Sequence, residues 1–331
     1  MDRQFKLCAL TAALLLAGCG GTDAPPAASD DVPPPPAAPE VTSIEIPERI
    51  VLERGGFTPE GVEYDLTNNR FLVGSVVEGT VYAVANDGRM TAFVRDADLR
   101  SSVGIEVDEA RNRLIVTNTD GSVFANPDST GVAAIGIYDL DTGLRTAMVN
   151  VDHLLGERAP GMRVFINDVT VGEDGTIYGT DSFARVVYAV DLDNNPSLLV
   201  AADVLPESVS MNGIVSHPDG FLLIASTPEG ALYRVPLNDP AAFSRVELPE
   251  PVNGADGMVW LADGSLAVVC GVDARTVRLK SDDGWQSAAI TGIASNQGAA
   301  TTGAVVGDDV YVVQPHFADP EPPVLLRVRF E

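Results

Sequence analysis

Ser210-Met211-Asn212-Gly213-Ile214-Val215-Ser216-His217-Pro218-Asp219-Gly220-Phe221-Leu222-Leu223-Ile224-Ala225-Ser226-Thr227 sets a polar residue against a glycine, then a short apolar run, a turn and a second apolar run. Pro218-Asp219-Gly220 is turn chemistry: Pro presets φ and Gly supplies positive φ. The flanking runs have strand length and composition, so the stretch predicts a β-hairpin with a polar residue at its entrance. The unit recurs at Glu60-Gly61, Val103-Gly104, Asn167-Asp168, Asn212-Gly213, Asp256-Gly257 and Thr302-Gly303, at spacings of 43, 64, 45, 44 and 46 residues. Each copy reaches a turn and opens a second apolar run, such as Leu114–Asn118, Ser265–Cys270 or Val310–Gln314. Short strands repeating at such a period predict an all-β, six-bladed β-propeller.

The last unit has only three strands after Thr302: near Ala304–Val306, Val310–Gln314 and Val324–Arg329. A strand-like segment, Thr42 to Leu52, precedes the first unit. A ring left open there would expose strand edges, so the N-terminal strand is expected to close the last blade. The propeller then spans 42–331. The long second spacing places extra residues at Thr119–Ala134 and Asp152–Arg163, both on the face that carries the entrance residues. These loops are candidate lids or substrate walls.

Arg3 and Lys6 precede an apolar run, Leu7 to Ala17, too short to span a bilayer as a helix. It ends in Leu16-Ala17-Gly18-Cys19, which resembles the lipobox of bacterial lipoproteins. That resemblance implies a signal peptide over 1–18 and lipidation of Cys19. Gly20 follows Cys19 where an Asp would imply inner-membrane retention, so the expected location is the outer membrane, facing the periplasm. The linker 19–41 is rich in Pro and Ala and too poor in large apolar residues to offset the cost of ordering. It is expected to act as a tether, so the protein meets the membrane only through its N-terminal lipid.

The chain carries 47 acidic and 21 basic residues, a formal charge of −26. Such a surface argues against nucleic acid and anionic headgroups as partners and is compatible with cations. Of three cysteines only Cys270 falls in the propeller, within an apolar run, so it is expected to pack as a small hydrophobe without a disulfide partner.

Four entrance residues, Glu60, Asn167, Asn212 and Asp256, bring two carboxylates and two amides to the mouth of the central channel. An all-oxygen set with two negative charges suits a hard cation such as Ca²⁺, and other divalent ions remain open. With no Cys or His at those positions, zinc is disfavoured. Singly, Asn or Asp before Gly reads as a turn or cap; four in one register of a cyclic repeat read as a shared site.

Pro59-Glu60-Gly61, Asn167-Asp168, Asn212-Gly213 with Pro218-Asp219-Gly220, and Asp256-Gly257-Met258 resemble the metal-binding motifs of the senescence marker protein/gluconolactonase family. These are calcium-dependent six-bladed propellers that hydrolyse lactones, related to paraoxonases and strictosidine-synthase-like proteins. The resemblance implies Glu60, Asn167, Asn212 and Asp256 as ligands of one catalytic Ca²⁺, and a small lactone or ester as substrate. Phe165-Ile166 stands where gluconolactonases usually carry a sugar-holding Arg, so Phe165 is expected to contribute an apolar substrate wall. The histidines are His153, in the second insertion, His217, in a turn at the far end of its blade, and His316, which follows the second strand of blade 6. Asp256 is the expected general base and His316 a second catalytic candidate. Two alternatives keep the fold: a binding or scaffold module braced by the ion, and a phosphotriesterase-like hydrolase.

Overall fold

A computed structural model describes residues 46–157, 161–317 and 321–331. The expected signal peptide, Cys19 and linker, and the part of the expected closing strand before residue 46, lie outside the described residues. Among the described residues no helix is long and apolar enough to cross a membrane.

The quoted stretch folds as its pattern requires. Met211–His217 and Phe221–Ser226 pair antiparallel across the turn, where Gly220 takes φ +79°. Second strands such as Phe221–Ser226 and Leu266–Cys270 are buried at every position, Cys270 included. They are almost wholly apolar because a neighbouring blade covers each of their faces. The outer strand Ala289–Ser295 instead alternates buried and exposed residues, as a strand with one wet face does.

Six four-stranded antiparallel sheets result, five of them built from consecutive strands. In the sixth, Arg49–Val51 pairs with Val324–Val328, so an N-terminal strand completes the last blade. Ile50 and Leu52 point inward and are each 1% exposed, while Arg49 and Val51 face outward. The apolar core lies between blades: Ile50, Phe71, Tyr311 and Leu325 join the last blade to the first. Val215, Phe221, Met258 and Val268 join the fourth to the fifth. The six inner strands, which begin at Val62, Ser101, Ile166, Met211, Ala255 and Gly303, contact one another in a closed cycle around the channel.

Candidate functional site

In four of the six blades the entrance pair is a β-bulge. Register shifts fall between Ser102 and Ile105, Ile166 and Val169, Met211 and Ile214, and Ala255 and Met258. In each case the motif pair, 103–104, 167–168, 212–213 or 256–257, is the irregular one. A bulge re-aims a side chain at the rim of a sheet, and here it occurs at three of the four expected ligands. The glycines are needed because the next inner strand passes so close. A Cβ on Gly213 would lie 2.1 Å from the carbonyl oxygen of Asp256, and one on Gly61 2.3 Å from that of Val103. Blade 3 carries Asp168 where the other blades carry glycine. That carboxylate accepts hydrogen bonds from the backbone N–H groups of Val169 (2.9 Å) and Ile214 (3.2 Å).

Hydroxyl groups of neighbouring blades pin the entrance residues. Thr180 Oγ1 donates to the carbonyl of Asn212 at 2.6 Å and Thr301 Oγ1 to that of Glu60 at 2.8 Å. Thr227 Oγ1 donates to the carbonyl of Ala255, beside Asp256, at 2.7 Å. This supporting layer was not read from the sequence. Its one signal is a Thr or Ser near the end of several second strands.

The amide nitrogens are engaged sideways: Asn167 Nδ2 donates to Ser182 Oγ and Asn212 Nδ2 to Thr227 Oγ1, each at 3.0 Å. That fixes the amide orientation and leaves Asn167 Oδ1 and Asn212 Oδ1 buried with no hydrogen-bond partner. Asp256 Oδ1 is in the same state. Buried oxygens without partners are costly unless something electropositive meets them. Among the described residues no three Asp, Glu, His or Cys side chains form a metal cluster, so an ion here depends on the amide oxygens. Two carboxylates and two amides fit a hard cation of irregular geometry.

Five carboxyl groups share the channel: Glu60, Glu63, Glu106, Asp168 and Asp256. Each keeps partial solvent access along the channel while protein encloses it. Burial pushes Glu60 well above the usual carboxylate range, and the charges of Asp256 and Asp168 add to the effect. Glu63 is raised in the same way by burial, then by Glu106 and Asp168. Glu106 and Asp256 are each pushed up to about 8, first by burial and then by the charge of Asp168. Asp168 itself rises to about 7 through burial, its two backbone hydrogen bonds pulling the other way. Carboxyls displaced in this way by burial and like charge, gathered in one channel, make it the candidate functional site. The sequence motif assigns Asp168 no role, yet its charge acts on all four of the others. Its departure from the glycine rule was the available signal.

The remaining expectations separate. His316 stands on the same face with φ +52°, and its buried Nδ1 has no hydrogen-bond partner. His153 is exposed on a short 3-10 turn, Asp152–Leu155, whose leucines pack against the core shared by blades 2 and 3. His217 is more enclosed than a free turn residue, stacking on Phe221 at 4.3 Å between ring centroids and meeting Trp260 at 5.3 Å. Phe165 is buried at 3% exposure, so it backs a wall and does not form its surface. The first insertion crosses toward blade 3, where Val164 N–H donates to the Thr130 carbonyl at 3.0 Å. Its Val123 packs with Phe165 on Val103, the entrance residue of blade 2. Blade 2 thus meets the mouth with an apolar plug.

No family model and no curated protein sequence matches the chain. Among solved structures, the major Malassezia sympodialis allergen superposes with a TM-score of 0.70 at 17% identity, covering 86% of this chain and 97% of its own. A gluconolactonase from Xanthomonas campestris gives 0.59 at 20% identity, covering 85% and 89%. A luciferin-regenerating enzyme gives 0.61 at 15%, covering 85% and 94%. The likeness is one of fold. Gluconolactonase-like six-bladed propellers are therefore among the structural neighbours, in keeping with the motif resemblance.

Proposed function

We propose that this protein is a calcium-dependent hydrolase of lactones or related esters, held in the bacterial envelope through a lipid on Cys19. The observation that supports it best is the trio of buried, unpartnered oxygens on Asn167, Asn212 and Asp256. Glu60 adds a second carboxylate from across the ring. A Ca²⁺ in this set supplies Lewis acidity toward a carbonyl oxygen and toward water.

The protein's own groups have separable tasks. The amides of Asn167 and Asn212 stay oriented through Ser182 and Thr227 and hold their oxygens inward. Asp256, whose Oδ1 would meet the ion, takes the proton of the attacking water on its other carboxylate oxygen. Hydrolysis adds hydroxide to the acyl carbon and breaks the acyl C–O bond. His316, with its unpartnered Nδ1 on the same face, hands a proton to the departing alkoxide, and a lactone yields a hydroxy acid. The acidic surface of the chain suits this setting, since it concentrates cations.

The test is hydrolysis of a lactone and aryl-ester panel, beside a phosphotriester panel, with calcium and with chelator. Chelation should abolish turnover. Asp256→Asn should abolish it even at saturating calcium, because an amide cannot accept the proton. Full activity in that variant, or no metal bound by the wild type, overturns the reading. Calcium binding without any turnover points to a binding module on the same fold.

A further inference from the structure

The first insertion of blade 2 exposes a large aromatic ring at the mouth of the channel. Phe124 ends the 3-10 turn Gly121–Phe124 and is 64% exposed. Its ring lies 4.8 Å from that of Phe165 and 5.7 Å from that of Phe183, and Phe165 and Phe183 are 6.1 Å apart. All three rings meet at tilted or edge-to-face angles. The Arg163 guanidinium covers the Phe183 ring at 4.4 Å and donates to the Val123 carbonyl at 3.1 Å. Among the described residues no carboxylate pairs with Arg163.

Sequence adjacency and hydrogen bonds link this cluster to the oxygen site. Phe165 lies two residues before Asn167, and Phe183 directly follows Ser182, whose hydroxyl accepts from the Asn167 amide. Asp181 Oδ1 in turn accepts from the N–H groups of Phe165, Phe183 and Ala184 at 2.8–3.0 Å. One buried carboxylate therefore orients both supporting rings, and the same segments carry the ligand. An exposed phenyl on such a base offers an edge and a face that solvent does not satisfy, beside a cation with donors to spare.

Building on the hydrolase reading, we propose that Phe124, backed by Phe165 and Phe183, is the substrate-selecting shelf and takes a planar aromatic substituent of the ester or lactone. Arg163 meets a carboxylate or other acceptor at the rim of the same group. Aromatic rings prefer offset or edge-to-face partners at the spacings this cluster already uses. A guanidinium that already lies over one ring recognises an anionic acceptor by its remaining N–H groups.

Two measurements on the full-length protein test this. The first compares kcat/KM for a γ-butyrolactone bearing phenyl, cyclohexyl or n-butyl at the γ carbon, in wild type, Phe124→Ala and Phe124→Leu. Wild type should favour phenyl over cyclohexyl by roughly two- to tenfold, the size of one aromatic pair. Both variants should bring that ratio toward one, chiefly through KM. An unchanged ratio, or no aryl preference in wild type, overturns the shelf. The second is calorimetric binding of the ring-opened phenyl hydroxy acid against its cyclohexyl analogue, which needs no turnover. Arg163→Gln should weaken the analogue of this acid that carries a carboxylate on the phenyl ring several-fold and leave the plain phenyl acid unchanged; equal effects on the two acids overturn the part given to Arg163. If no lactone is hydrolysed yet the phenyl acid binds in a Phe124-dependent way, the hydrolase reading fails and the shelf stands. If hydrolysis proceeds and neither measurement depends on Phe124, the shelf fails and the hydrolase reading stands. Absence of both hydrolysis and Phe124-dependent binding overturns both.

Discussion

Removing Ile50 and Leu52 from the closing strand should unlock the ring. Both side chains are 1% exposed and pack with Phe57, Phe71, Tyr311 and Leu325 at the junction of the first and last blades. Truncating a buried Ile or Leu to Ala costs about 2–5 kcal/mol, so Ile50→Ala with Leu52→Ala should cost roughly 4–10 kcal/mol. The two sites share neighbours, so the sum need not be additive. Against a total stability of about 5–15 kcal/mol this is a large fraction. The same strand is tied by backbone hydrogen bonds, Leu52 N–H to the Pro323 carbonyl at 2.9 Å and Arg327 N–H to that of Glu48 at 2.8 Å. A chain beginning at residue 54 loses these as well, and leaves the Val324–Val328 edge without a partner. Thermal and urea unfolding followed by circular dichroism reads the effect, and the double variant should melt on the order of 10 °C lower. The outward pair Arg49→Ala with Val51→Ala should change stability by about 0.5 kcal/mol or less. Equal losses for the inward and outward pairs, or an unchanged melting temperature for the chain beginning at 54, would refute closure by this strand.

Calcium affinity should rise between pH 6 and 9 and binding should release protons, because Asp256 and Asp168 titrate near 8 and 7 without the ion. A carboxyl whose folded pKa exceeds its unfolded value, near 4, stabilises the fold fully below that value and loses this as pH rises through 7 to 8. The calcium-free protein should accordingly melt lower at pH 9 than at pH 5, with calcium adding about 2.7 kcal/mol at a hundredfold excess over Kd. A titration that finds the affinity flat with pH contradicts the assignment. Gly213→Ala should destabilise by about 1–3 kcal/mol, since its Cβ would lie 2.1 Å from the Asp256 carbonyl oxygen, and denaturation midpoints decide it. Gly220→Ala, with nothing within 4 Å, tests φ strain alone and serves as the comparison. Cys19→Ala should release the protein from the membrane fraction or block its maturation, whereas Cys270→Ala should leave its location unchanged; membrane fractionation with lipid analysis decides between them.

The blade count, the closing strand and the four entrance positions were legible in the chain itself, because each depends on short-range chemistry repeated in register. A hairpin needs its turn residues and its apolar runs, and six copies with one strand missing at the end define a ring closed by the segment around Ile50. The sequence also showed that Asn212-Gly213 and its counterparts lie at the rim, though not why glycine is required. That depends on the neighbouring blade, whose backbone leaves no room for a Cβ. Asp168 escaped for a related reason: its effect on Glu60, Glu63, Glu106 and Asp256 arises across the channel, between residues up to 108 positions apart. The amide orientations were likewise invisible, since Ser182 and Thr227 reach Asn167 and Asn212 only after the strands have paired. Phe165 read as a wall because it stands where the resembling family usually carries a polar, sugar-holding Arg; the packed insertion buries it and presents Phe124 in its place. Local pattern determines strands and turns, whereas which oxygen lacks a partner and which ring meets solvent are set by contacts between blades.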